Sequence, residues 1–178
     1  LFDYKLTSSN VTSIFNSGVP NDISSLNPLG WYRMGANSNY KSPQWLMPEN
    51  SNKDKFSNYS YDFDAVDDFI SGGDIFGFER TDAFSISAWV KRNSSKNQMI
   101  VSKRLSSGNL TGYSLRITNS TNQLQVQLRS AGSNRLILNG STALDTNWNH
   151  VVLTYDGSSN ISGLNVYLNG SNDNGSTT

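Results

Sequence analysis

Apolar and polar residues alternate along much of this chain, which predicts short extended strands. Residues 148–155 show the pattern most clearly, because apolar side chains recur there at every second position. Asp156-Gly157 then begins a turn, and residues 164–168 repeat the alternation before Asn169-Gly170 turns the chain again. Two strands and a turn of this kind predict a β-hairpin, and the repetition of such units predicts an antiparallel β protein.

The same alternation recurs between turns that are rich in Gly, Asn and Ser. The turns follow one another at intervals of roughly ten residues, which is typical of a β-sandwich. The fold class predicted from this pattern is all-β, an antiparallel sandwich of the jelly-roll type. Further strands are predicted at 30–35, 59–70, 84–90, 99–103, 113–118, 124–128 and 136–138.

The two ends of the chain have different patterns. Residues 1–4 are strand-like, and residues 7–17 predict one short helix, because apolar residues lie at helical spacing after a Thr-Ser-Ser N-cap sequence. Residues 171–178 are turn-forming and contain no apolar residue, so no strand is predicted there. Residues 21–28 predict a polar linker.

Composition and charge exclude several functional classes. The 14 basic and 14 acidic residues balance, so no excess of positive charge favours nucleic acid as a partner. No apolar run is long enough for a membrane-spanning helix, so membrane insertion is not expected. The chain has no cysteine, which excludes disulfides and cysteine-based metal sites.

Four motifs resemble the laminin-G-like, concanavalin A-like jelly-roll domains, in the variety called LamG or Laminin-G type 3. They are Tyr-Asp-Phe-Asp-Ala-Val-Asp-Asp-Phe-Ile at 61–70, Phe-Ser-Ile-Ser-Ala-Trp-Val at 84–90, Trp-Asn-His-Val at 148–151 with Tyr-Asp-Gly at 155–157, and Val-Tyr-Leu-Asn-Gly at 166–170. Their order and spacing are similar to the family from about residue 29 to residue 170. The resemblance implies a LamG-like sandwich over 29–178 that is truncated before its last strand.

The first part of the chain resembles the end of such a domain. Residues 1–20 are similar to the closing strand and short helix of a preceding repeat, or of a cyclically cut one. The link into Gly-Trp-Tyr-Arg-Met-Gly at 30–35 is similar to a junction between tandem copies in virion proteins of marine tailed phages. The resemblance therefore implies a module of a larger virion protein.

Two functional settings follow from the resemblance. The first is a non-catalytic structural or recognition module of a phage fibre, appendage or capsid-surface decoration, located in the virion. Its partners would be other virion proteins, copies of itself and host-surface glycans. The alternative is a carbohydrate-binding or adhesion module of a secreted or cell-surface bacterial protein.

Catalytic residues are scarce in the sequence. His150 is the only histidine, and we interpret it as a strand residue, since a Ser-His-Asp unit needs two further groups brought to it. The only glutamates, Glu49 and Glu79, lie far apart in loop-like sequence. A retaining glucanase needs paired carboxylates, which these two glutamates do not supply. A pair of aspartates is the remaining catalytic alternative. We expect no enzyme activity.

The segment before the 84–90 strand contains an acidic cluster. Its members are Asp62, Asp64, Asp67 and Asp68. Several carboxylates within a few residues suit Ca²⁺, and the resemblance implies that a structural calcium ion can be held at a sandwich rim. Solvated strand carboxylates are the alternative, and Ala36 stands where the family usually has an acidic residue.

Aromatic residues of the 30–45 region are candidates for ligand binding. Trp31, Tyr32, Tyr40 and Trp45 predict a platform on which sugar rings stack. Trp45 lies between two prolines, and packing into the core is its alternative role. In contrast, the family motifs imply that Trp89 and Trp148 are packing residues.

Overall fold

The computed structural model describes residues 1–18, 22–29, 60–64, 66–105, 111–130 and 134–177. This part of the chain forms one α-helix, nine β-strands and three short 3₁₀ turns, and it confirms the predicted all-β antiparallel sandwich with one short N-terminal helix. The elements are α1 (Ser8–Phe15), β1 (Phe84–Lys91), β2 (Gln98–Arg104), β3 (Gly112–Ile117), β4 (Gln123–Arg129), β5 (Arg135–Ala143), β6 (Trp148–Tyr155), β7 (Leu164–Leu168), β8 (Ser171–Asn172) and β9 (Asn174–Thr177).

The strands form two antiparallel sheets. Sheet A has the order β1-β6-β7-β8, and sheet B has the order β2-β3-β4-β5-β9. The predicted β6–β7 hairpin is present, with Leu153 opposite Val166. Asn169 and Gly170 have φ angles of 50° and 82°. Positive φ at both central residues is what a two-residue type I′ turn requires, and this turn leads directly from β7 into β8.

The hydrophobic core lies between the two sheets. Alternate residues of each strand point inward, so that Ile86 of β1 lies opposite Leu153 of β6. At one end, the rings of Phe78 and Phe84 stack with centroids 4.7 Å apart. The buried side chains are Phe84, Ile86, Tyr113, Leu115, Ile117, Leu124, Val126, Leu138, Leu144, Val151, Leu153, Tyr155, Leu164 and Val166. Each contributes about 1.5–3 kcal/mol by leaving water, so this layer dominates the stability of the fold.

The N-terminal segment covers the outer face of sheet A. Phe2 pairs with the edge strand β1, donating from its N–H to the Ser85 carbonyl at 2.9 Å and accepting from the Ser85 N–H at 3.0 Å. Val11 and Ile14 of α1 are buried in one cluster with Val152 and Tyr167 of sheet A. The second face of β6 is therefore buried as well from His150 to Thr154.

Thr7 fixes the start of α1. Its hydroxyl oxygen accepts from the N–H of Asn10, and the Asn10 side chain accepts from the N–H of Thr7. This reciprocal cap satisfies two backbone donors that the first turn of a helix leaves unpaired. The helix predicted over 7–17 is confirmed as Ser8–Phe15 and ends at Asn16, which has left-handed φ and ψ angles.

The predicted strand over 59–70 is wrong for the residues that the structure describes there, 60–64 and 66–70. None of them is in a strand, and Tyr61 and Phe63 are 67 % and 43 % exposed. Alternation marks a segment that suits a sheet, but a strand also needs the backbone of a neighbour. No described strand pairs with this segment.

The prediction that residues 171–178 contain no strand is also wrong. β8 pairs with β7, and β9 pairs with β5 at the edge of sheet B. These strands need no apolar side chains because polar groups hold them: Asn174 Oδ1 accepts from the N–H of Val166, and Asp173 donates its N–H to the Val166 carbonyl, both at 2.9 Å. A strand that is held by backbone pairing and polar side chains has no alternation of apolar residues, so the sequence pattern does not predict it.

Candidate functional site

The predicted aromatic platform cannot be placed. Trp31, Tyr32, Tyr40 and Trp45 lie outside the described residues, so their role stays a prediction. In the described part, Trp148 is 48 % exposed at the start of β6, which corrects its expected packing role. Trp148 lies on the outward face of β6, and α1 covers this face only later in the strand, at Val152. Trp89 is half-buried, and its ring centroid lies 6.1 Å from that of Phe15.

Three of the four predicted metal ligands come together. One carboxylate oxygen each from Asp64, Asp67 and Asp68 lies within 4.8 Å of the others, and Asp62 does not belong to this group. Asp68 Oδ2 accepts from the N–H of Asp64 at 2.9 Å, and Asp64 Oδ1 accepts from the N–H of Val66 at 2.8 Å. All three carboxylates are exposed. Three oxygens supply part of the six to eight that Ca²⁺ takes.

His150 is a structural residue. Its side chain is fully buried, and Nε2 lies 2.9 Å from the Ser87 hydroxyl oxygen. The imidazole stacks against Phe15 and contacts Trp89 at a tilt, and Nδ1 has no hydrogen-bond partner among the described residues. Burial lowers the pKa of His150 to about 4, so the ring is neutral near pH 7. A Ser–His contact that is sealed from solvent and lacks an acid at Nδ1 is not a nucleophile site.

The outer face of sheet B is mostly polar, and we call it the polar face. The register explains it, because Leu115, Val126 and Leu138 point inward and their strand neighbours point outward. The polar face consists of Ser102, Arg104, Ser114, Arg116, Gln123, Gln125, Gln127, Arg129, Arg135 and Asn139, with Met99 and Ile137 as apolar members. Ser114, Gln127 and Ile137 are buried, Arg104, Arg116, Arg129, Gln125 and Asn139 are partly exposed, and Ser102 and Arg135 are exposed.

One row of hydrogen bonds crosses four strands of this face. Nε and Nη2 of Arg116 both donate to Gln125 Oε1, the first at 2.9 Å. Gln125 Nε2 donates to Asn139 Oδ1 at 2.7 Å, and Asn139 Nδ2 donates to the carbonyl and hydroxyl oxygens of Ser176 at 3.2 and 3.1 Å. Since every link holds the next, these side chains are oriented before any ligand arrives.

A second row joins the first through Gln127. Its Oε1 accepts from Arg104 Nη1 at 3.1 Å, and its Nε2 donates to Gln125 Oε1 at 2.7 Å. Two buried polar atoms of the face, Ser114 Oγ and Arg129 Nε, have no hydrogen-bond partner among the described residues. Buried polar atoms are normally paired with protein groups or ordered water, so these two retain unused hydrogen-bonding capacity.

The sequence interpretation missed this face, although a signal for it exists. β4 reads Gln-Leu-Gln-Val-Gln-Leu-Arg, so the same alternation that predicts a strand also places three amides and an arginine on its second face. Arg116 and Asn139 join them only through the pairing of β3 and β5 with β4.

Comparison with known proteins supplies the family. A family model, Laminin_G_3 of the concanavalin A-like lectin/glucanases superfamily, matches residues 64–178, more than half of the chain. No curated protein and no solved structure is matched. Among the described residues, no helix has the length and apolar character needed to cross a membrane.

Proposed function

This chain belongs to the Laminin_G_3 family of the concanavalin A-like lectin/glucanases superfamily, and from that premise we propose that it is a non-catalytic recognition module that binds carbohydrate through the polar face of sheet B. A domain of this family suggests a carbohydrate-binding or adhesion-type module. The observation that carries the proposal is the hydrogen-bonded row Arg116–Gln125–Asn139–Ser176 on one face of the sandwich.

The chemistry of the face suits a polyhydroxylated ligand. An amide offers a donor and an acceptor side by side, and a guanidinium offers five donors in a plane, so both match adjacent sugar hydroxyls. Because Gln125 is already held by Arg116 and Asn139, little side-chain entropy is lost when a ligand binds.

The same face argues against hydrolysis. Glycosidases flank the scissile bond with two carboxylates, and strands β2, β3, β4, β5 and β9 contain no Asp or Glu. Laminin-G-like domains of this fold are generally non-catalytic. A ligand on the polar face would therefore be held without being cleaved.

A glycan array tests the proposal. We expect the protein to bind at least one class of glycan, and Gln125→Ala to weaken that binding about tenfold, since about 1.4 kcal/mol of oriented hydrogen bonding is lost. The matched control is Gln98→Ala, because Gln98 contacts Ser94 at the end of β2 and lies off the polar face. A folded protein that binds no glycan would contradict the proposal and favour a purely architectural role.

For the setting, we propose a phage virion, where the module would be part of a fibre, an appendage or a capsid-surface decoration beside other virion proteins or copies of itself. The resemblance of the first 35 residues to a junction between tandem copies supports this placement. A secreted or cell-surface bacterial adhesion module is the alternative. Immunogold labelling of purified particles with an antibody against the domain tests it, and a cell-wall anchor in the full-length gene would contradict it.

We also propose a structural calcium ion at Asp64, Asp67 and Asp68, on the basis of their grouped oxygens. Calcium binding to the folded state would raise the melting temperature. Thermal unfolding with 1 mM CaCl₂ and with EDTA checks this, and Asp67→Asn should remove the difference. The control is Asp62→Asn, because Asp62 lies outside the group. Equal melting temperatures in calcium and EDTA would end the calcium proposal.

A further inference from the structure

Charge is segregated within this neutral chain. The 14 basic and 14 acidic residues cancel overall. The polar face nevertheless carries Arg104, Arg116, Arg129 and Arg135, and the five strands of sheet B contain no Asp or Glu. Along the sequence, seven of the 14 acidic residues fall in the segment from Asp62 to Asp82, outside these strands. A positive surface of this kind is a local property that the net charge conceals.

The arginines of this face bind neutral acceptors. Arg104 and Arg116 donate to the amide oxygens of Gln127 and Gln125, and no described carboxylate forms an ion pair with either of them. Burial, together with the charges of Arg104 and Arg129, lowers the pKa of Arg116. The mutual repulsion of these guanidinium groups is therefore not relieved by a described residue, and an anion bound among them would relieve it.

The outward residues of the polar face include no aromatic ring. Tyr113, the one aromatic residue in the strands of sheet B, points into the core and is 5 % exposed. Neutral sugars are commonly held by stacking on aromatic faces, and these strands do not offer that contact. A ligand here must be held by hydrogen bonds and charge, which favours one that carries acid groups.

We infer that the ligand of the polar face is an acidic polysaccharide, with carboxylate or sulfate groups against Arg104, Arg116 and Arg129 and hydroxyl groups against Gln125 and Asn139. This inference rests on the proposed function and specifies its ligand class. A planar guanidinium binds an acid group through two parallel hydrogen bonds, which are stronger than bonds between neutral groups. Arg129 is partly exposed, like Arg104 and Arg116, and its Nε has no described acceptor.

Matched pairs of probes test the charge requirement. Calorimetry compares oligogalacturonate with its methyl ester, which has the same sugar backbone without charge, and dextran sulfate with dextran. We expect at least one acidic probe to bind ten times or more tightly than its neutral partner, with an affinity that falls as NaCl is raised. The pair that shows the difference distinguishes a carboxylated from a sulfated ligand.

Three variants locate the site. Arg135→Gln removes an exposed charge from the face with no described hydrogen bond to lose, and Gln125→Glu keeps the acceptor for Arg116 while adding a repulsive carboxylate. Both should weaken binding of the acidic probe at least threefold, and circular dichroism verifies their folding. The matched control, Arg80→Gln, removes an exposed charge off the face and should leave the affinity unchanged.

The outcomes separate this inference from the proposed function. If the neutral probes bind as tightly as the acidic ones, the inference is wrong and carbohydrate binding stands. If both variants bind the acidic probe like the wild type, the inference is wrong because the site lies elsewhere. If the protein binds none of the four probes and no glycan on the array, both proposals are wrong.

Discussion

Acidification should destabilise the fold through His150, because its buried imidazole is neutral in the folded protein. Burial lowers the pKa of His150 to about 4, while the unfolded chain has the ordinary histidine pKa of about 6.5. The unfolded state therefore binds a proton first as the pH falls. Stability is complete above about pH 6.5 and is lost progressively between 6.5 and 4.

The magnitude follows from the two pKa values. Integrating the difference in bound protons between pH 7 and pH 4.5 lowers the free energy of unfolding by about 2.5 kcal/mol. The described contacts of the ring are the Ser87 hydroxyl, Phe15 and Trp89, and none of them is charged. A proton on this imidazole would therefore remain uncompensated.

Urea unfolding at pH 7 and pH 4.5 measures the effect, with His150→Gln as the reference that cannot titrate. The carboxyls of Asp74, Asp145 and Asp156 have lowered pKa values, so the stability that they contribute to the fold is lost only as the pH falls below about 4. Their contribution is common to both proteins and cancels. An equal pH dependence in wild type and variant, or an imidazole NMR signal that titrates near 6.5, would refute the reasoning.

Four further substitutions probe other parts of the molecule. Leu153→Ala should lower the free energy of unfolding by about 2–5 kcal/mol in urea, since it leaves a cavity between the sheets. Thr7→Ala should cost about 1 kcal/mol by removing the cap of α1, whereas exposed Thr12→Ala should cost less. Gly112→Ala should lower the melting temperature, because Gly112 has φ of 125° and a Cβ would overlap the Lys103 carbonyl oxygen; an unchanged melting temperature would contradict this. Trp45→Ala should abolish glycan-array binding if the aromatic platform contributes, and unchanged binding would count against it.

The fold was largely predictable because the residues that face the core are apolar and recur at alternate positions of each strand. The strand predicted at 84–90 is observed as Phe84–Lys91, since Phe84 and Ile86 had to be apolar to face the core. This alternation is a local pattern, and it does not show whether a neighbouring strand is present to pair with the segment. Tyr61 and Phe63 alternate like core residues yet lie exposed, and β9 forms from Asn174–Thr177 with no apolar residue.

The candidate site was less predictable than the fold. Asp64, Asp67 and Asp68 were found because they are close in sequence, and their carboxylates lie together in the structure. The polar face was missed because its members are far apart: Arg116 meets Gln125 across one strand pair, and Asn139 joins across the next. No spacing rule in one dimension connects them.

The sequence by itself therefore determined the class of fold, the short helix and most strands. The two-residue period of the apolar residues indicates which side of each strand is buried. The tertiary structure decided how those faces are used. It placed the N-terminal segment on sheet A, which seals His150 beneath Phe15. It also gathered four arginines on sheet B, because strand order and register bring distant residues together.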